Sequence, residues 1–149
     1  MPRWLARIHA VAAVVFVAAI IVQVFLAGLA IANLGGSGDF STHIEFGYTW
    51  VGLASLAVLV TAIAARRPRR EIGITFAMLL LYIVQTLLPE ARAALPWVAA
   101  LHPVNALLLF GLAVWYARRA WRAMDAVAAA GDAASRAGRV ADPAAADAR

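Results

Sequence analysis

The segment Leu101 to Trp121, LHPVNALLLFGLAVWYARRAW, restricts the fold of this chain more than any other stretch. From Ala106 to Ala117 it carries no charge, and it closes on Trp115, Tyr116, Arg118, Arg119, Trp121 and Arg122. Aromatic rings at headgroup depth followed by arginines mark the cytoplasmic edge of a membrane-spanning helix. At the other end His102 and Asn105 stand three apart, so a helix places both on one face. Polar groups inside hydrocarbon are costly, and they face a partner, a cavity or a ligand.

The rest of the chain agrees. Of its 149 residues, 64% are hydrophobic and 14% charged, with a mean hydropathy of +0.82; a soluble domain of this size could not carry such a surface. The expected class is an integral membrane protein. All 13 basic residues are arginine and alanine is very frequent, a bias that fits a GC-rich bacterial genome and hence a bacterial inner-membrane location. A pI near 11.0 is compatible with nucleic acid, but most of the arginines flank apolar runs, where anionic headgroups account for them. The expected partner is the lipid bilayer and not nucleic acid, with a membrane-protein partner or a homo-oligomer left open. The absence of cysteine removes disulfides, thiolate nucleophiles and thiolate haem or iron–sulfur ligands.

Four spans are expected, over about 5–34, 43–65, 71–88 and 97–121, making residues 1–124 an all-α four-helix transmembrane bundle. The first span is broken only by Gln23, and its apolar core exceeds the 7–15 residues of a signal peptide. LGGSGDFST, Leu34 to Thr42, reads as a loop. Thr42 followed by Glu45 fits a capping box that opens the second helix at His43. RRPRR, Arg66 to Arg70, is a tight turn broken at Pro68. Pro89 ends the third span. Pro96 and Pro103 allow either a kink near His102 or a helix that begins there. Residues 125–149 are a low-complexity Ala/Asp/Arg/Gly tail; its first turns can prolong the fourth helix and the remainder is expected to be disordered.

Placing the termini and the RRPRR turn on one side gathers every arginine but Arg92 there. The expected topology is therefore both termini cytoplasmic. His9, two residues after Arg7, is expected at headgroup level.

The halves resemble each other. Ile21-Val22-Gln23-Val24-Phe25-Leu26 recurs as Ile83-Val84-Gln85-Thr86-Leu87-Leu88, and His43, Gly47 and Gly52-Leu53-Ala54 recur as His102, Ala106 and Gly111-Leu112-Ala113. This pattern suggests a duplicated helical hairpin. Each hairpin supplies a glutamine and a histidine, with a small residue, Gly47 or Ala106, one turn after the histidine. Gly52 and Gly111, on the opposite side of their helices, suit close packing. Counting from the arginines puts Gln23, Gln85 and His102 at one depth, which favours a polar layer of these three with Asn105, and leaves His43 about 10 Å further out at 1.5 Å per residue.

With its histidine and Pro-Val-Asn pattern at His102 to Asn105, the chain resembles an uncharacterised family of small four-helix bacterial membrane proteins. More distantly, VQVFLAGL (Val22 to Leu29) and the histidines opening the second and fourth helices are similar to one half of haem A synthase. That resemblance implies a four-helix bundle holding b-type haem through His43 and His102. The acidic residue that family carries a turn before the second-helix histidine is not matched, since Glu45 follows His43.

Three functions remain open. One is a haem b protein for electron transfer, with His43 and His102 on the iron and Gln23, Gln85, Asn105, Gly47 and Ala106 around it. Another is a cofactor-free scaffold or accessory subunit whose polar layer joins helices. The third is a small transporter, which the placement of all acids in loops, at helix ends or in the tail disfavours. No catalytic constellation is visible, so an enzyme is not expected.

Overall fold

The structure, a computed structural model, describes residues 2–141, with side chains described as far as Ala137. It contains four long helices: α1 (Arg3–Ala30), α2 (Ser41–Ala64), α3 (Arg69–Leu87) and α4 (His102–Ala141). All four are long and apolar enough to cross a membrane. Short 3-10 helices at Ala32–Leu34 and Leu88–Ala93 and a one-turn helix at Pro96–Ala99 join them, and the described residues contain no strand.

The helix ends follow from local chemistry. α1 stops at Ala30, short of the expected Leu34, because the backbone turns extended at Ile31 (ψ 106°); after the 3-10 turn that follows, Gly35 (φ 86°) and Gly38 (φ 79°) carry the loop through the left-handed region that glycine tolerates. The expected capping box at Thr42 and Glu45 does not form. α2 opens at Ser41, with Phe40 as N-cap residue and no side-chain cap bond. Asp39 does the organising instead: it accepts the Ser41 N–H at 2.8 Å and the Ser41 hydroxyl at 2.9 Å. These two bonds hold the Asp39 carboxyl below the usual aspartate range.

RRPRR is a tight turn, as expected, with Arg66 at φ 49° and Pro68 as the N-cap of α3. At the fourth span, Pro96 starts the single turn and a second helix begins at His102 with Pro103 in its first turn, where a missing N–H costs nothing.

Each helix packs on its sequence neighbour, and α1 also packs against α4, closing the bundle. The core between them is lined with small residues: Ala10 and Ala13 on α1, Ala113, Ala117 and Ala120 on α4, filled out by Phe16, Val58, Met78, Leu109 and Tyr116. Small side chains let helix backbones approach closely, which is how helices associate where water does not drive them together. The outside is the apolar surface, with Phe25, Trp97 and Leu107 each more than 60% exposed. Gly52 serves the expected packing role, since a Cβ there would lie 2.6 Å from the Tyr82 hydroxyl oxygen; Gly111 does not, because nothing lies within 4 Å of its Cβ position.

The tail from Asp125 begins as helix, and α4 continues as far as Ala141, well beyond its first turns. Alanine is the best helix former, so an Ala-rich extension of an established helix propagates readily. Arg3 ties down this extension, donating to the Ala128 carbonyl at 2.7 Å and pairing with Asp132 at 2.8 Å. Residues 142–149, the rest of the expected disordered tail, lie outside the described residues.

Candidate functional site

At the histidine end of the bundle each hairpin builds the same unit. The His43 Nδ1–H donates to the Gln23 carbonyl at 3.0 Å, and the His102 Nδ1–H donates to the Gln85 carbonyl at 3.0 Å. A carbonyl can only accept, so both rings carry a proton on Nδ1, and an amide nitrogen facing Nε2 can only donate, which makes Nε2 the acceptor. The glutamine amides reach back to those nitrogens: Gln23 Nε2 is 3.2 Å from His43 Nε2, and Gln85 Nε2 is 3.1 Å from His102 Nε2. The two rings face each other across the hairpins, with centroids 6.4 Å apart and planes at 68°.

The expected offset of His43 is thus corrected, because it stands beside His102. Two features bring it there. The arginines mislead as a ruler, since Arg66 lies beyond the end of α2 while α4 runs on past Arg118. The side chains that meet at the arginine-rich end are His9, Thr61 and Tyr116, and α2 spends 18 positions from His43 to Thr61 where α4 spends 14 from His102 to Tyr116. Part of that excess is taken up by a π-helical segment at Gly47–Val51, whose wider turn uses chain without the full α-helical rise. Tyr82 supports this segment by donating its hydroxyl to the Gly47 and Tyr48 carbonyls, 3.2 Å from each. Gly52 leaves the room that hydroxyl needs.

The two units differ in the side chains beside the glutamine. Asn105 donates to the Leu81 carbonyl at 3.0 Å and to Gln85 Oε1 at 2.7 Å, which completes the second hairpin. Its counterpart in the first, at the repeat offset of His43 to His102, is Phe46. Gln23 Oε1 is accordingly buried without a partner. The expected space beside His43 at Gly47 is filled by the Gln23 amide, whose Nε2 lies 2.6 Å from where a Cβ would stand. Ala106, its counterpart beside His102, is half-buried.

A second polar cluster closes the arginine-rich end. His9, expected at headgroup level, is instead 1% exposed in the core. The Thr61 hydroxyl gives its proton to the Ala57 carbonyl at 2.7 Å, so Thr61 Oγ1 accepts from His9 Nδ1 at 3.0 Å and Tyr116 donates to His9 Nε2 at 2.9 Å. Nearby, Glu71 is buried between Arg67, at 2.6 Å from one carboxylate oxygen, and Arg119, at 3.0 Å from the other. His9 and Glu71 are counterparts at the offset relating Gln23 to Gln85. Sequence reading missed this cluster because Glu71 abuts RRPRR and looked like an ordinary helix end; the shared offset was its available signal.

Among the described residues no group of three or more His, Cys, Asp or Glu side chains could hold a metal ion. A membrane four-helix bundle with a paired glutamine–histidine layer is the class that the helices and the site define. The profile of a family of unknown function, DUF6220, matches residues 23–93. That stretch includes Gln23, His43, Gly47 and Gln85 and ends before His102 and Asn105. No curated protein and no solved structure matches the chain.

Proposed function

We propose that this protein is a multi-pass protein of the bacterial inner membrane, with cytoplasmic termini, that binds b-type haem between His43 and His102. The observation that carries the reading is the 6.4 Å separation of the two imidazole centroids across the hairpins. With metal–imidazole bonds of about 2.0–2.1 Å, two rings on one ion have centres roughly 6 Å apart. The donor set also suits a haem iron: both rings are neutral, both are oriented by a main-chain carbonyl, and both keep Nε2 as a lone-pair donor. Ligation would require Gln23 and Gln85 to release those nitrogens. The unpartnered Gln23 Oε1 then offers an acceptor to a water beside the ligand. A haem held there supplies one-electron transfer; the chain's own residues orient the two imidazoles and keep the surroundings apolar.

A cofactor-free scaffold is the second reading, favoured by the second hairpin, where Leu81, Asn105, Gln85 and His102 form a chain of hydrogen bonds. Interhelical bonds of this kind contribute about 0.6–2 kcal/mol each and can fix register without a ligand.

Protein purified from haem-replete cells separates the two. Haem binding gives a Soret band and a sharp α-band on dithionite reduction, and either His43→Ala or His102→Ala abolishes the low-spin spectrum. A folded, colourless protein under those conditions overturns the haem reading and leaves the scaffold.

A further inference from the structure

Two grooves open on the lipid-facing sides of α1. The larger, about 450 Å³, runs between α1 and α2; Val11, Val15, Ala54 and Ala57 line its length, and Arg7 and Thr61 stand at its arginine-rich end. Along α1, from Arg7 to Val15, it covers roughly 12 Å at 1.5 Å per residue. The smaller, about 210 Å³, lies between α1 and α4 and again ends in an arginine, Arg118, beside Trp121.

Arg7 is exposed and makes no ion pair among the described residues. At the same end of the bundle Glu71 pairs with Arg67 and Arg119, and Asp132 with Arg3. Thr61 is engaged too, since its proton goes to the Ala57 carbonyl and its lone pair receives His9. Arg7 is thus the group at this groove with charge to offer. The walls beyond it are wholly apolar and partly alanine, so they present a slot and not a ridge. A slot at hydrocarbon depth left unfilled forfeits dispersion contacts on both walls, and a guanidinium at its headgroup end forms paired hydrogen bonds with phosphate.

We infer that the α1–α2 groove seats one acyl chain of an anionic phospholipid, with the lipid phosphate on Arg7. The chain supplies the packing, and Arg7 supplies the choice of an anionic over a zwitterionic headgroup. This seat is local and differs from the diffuse attraction of a basic surface for anionic lipid.

The test uses the full-length protein, delipidated in neutral detergent and given equal amounts of phosphatidylglycerol and phosphatidylcholine with identical chains, with bound lipid counted by native mass spectrometry. Phosphatidylglycerol should be retained several-fold over phosphatidylcholine. Arg7→Gln should bring that ratio close to one, whereas Arg122→Gln, which removes an equal charge at an exposed site lining neither groove, should leave it unchanged. Ala57→Leu fills the slot from an exposed position and should lower retention of both lipids. Glycerol phosphate, which has the headgroup chemistry without the chain, should fail to compete at equal concentration. Equal loss in Arg7→Gln and Arg122→Gln overturns the inference in favour of diffuse charge. A selectivity untouched by Arg7→Gln also overturns it, as does a protein dimer that Ala57→Leu converts to monomer. If Ala57→Leu does not fold, the ratio in Arg7→Gln alone decides.

Discussion

Glu71→Gln tests whether the buried ion cluster organises the arginine-rich end. The Glu71 side chain is 5% exposed and that of Arg67 only 9%, so both charges have left water, whereas Arg119 remains 49% exposed. Replacing the carboxylate by an amide leaves the Arg67 guanidinium buried with no counter-charge, and breaking a buried pair in this way costs about 3–5 kcal/mol. Against total stabilities of about 5–15 kcal/mol, that is a large share. Arg119→Gln removes a half-exposed partner and should cost no more than about 1 kcal/mol. Removing both buried charges together, as Arg67→Met with Glu71→Leu, should restore most of what Glu71→Gln loses, because no ion is then stranded. Unfolding by SDS titration in mixed micelles, followed by far-UV circular dichroism, measures all three. A Glu71→Gln protein within about 1 kcal/mol of the parent would refute the reasoning, and so would a double variant as unstable as the single one.

Gly47→Ala should cost about 1–3 kcal/mol by pushing the Gln23 amide off His43, while Gly111→Ala, with open space at its Cβ position, should be neutral or stabilise by up to about 1 kcal/mol; the same SDS titration compares them. His9→Leu strands the buried Tyr116 hydroxyl and should cost about 1–3 kcal/mol, read as a lowered thermal midpoint in detergent. Asp132→Asn, at the exposed pair with Arg3, should change stability by no more than about 1 kcal/mol. Reporters fused after Arg149 should be active when they require the cytoplasm and silent when they require export.

The sequence disclosed the spans, the repeat and the glutamine–histidine residues because each is written in local pattern: apolar runs, arginine flanks, a shared offset. It did not disclose depth. A depth count along ideal α-helices from the arginines sets His43 out of place, because the π-helical segment at Gly47–Val51 and the end of α2 before Arg66 are invisible to such a count. His9 was misplaced for a related reason, since a histidine near Arg7 looks interfacial until Tyr116, more than a hundred residues later, is seen to donate to it. The π-helical segment itself had a trace in the sequence, because Gly52 is the residue that admits the Tyr82 hydroxyl to the freed carbonyls.

The repeat also separates the contacts that the two hairpins share from those in which they differ. In both hairpins the histidine is held by a main-chain carbonyl, that of Gln23 or Gln85. A carbonyl is present whatever side chain stands at its position, so this anchor does not depend on the side chains around it. The side-chain contacts differ at both ends. Asn105 completes the second unit where Phe46 leaves Gln23 Oε1 unpartnered, and at the other end His9 and Glu71, equivalent in the repeat, have become a neutral hydrogen-bonded imidazole and a doubly paired carboxylate. The symmetric feature is therefore the placement of two imidazoles face to face, and the asymmetric features are the polar groups that surround them. A ligand bound between the rings would meet a closed amide network on one side and an open acceptor on the other.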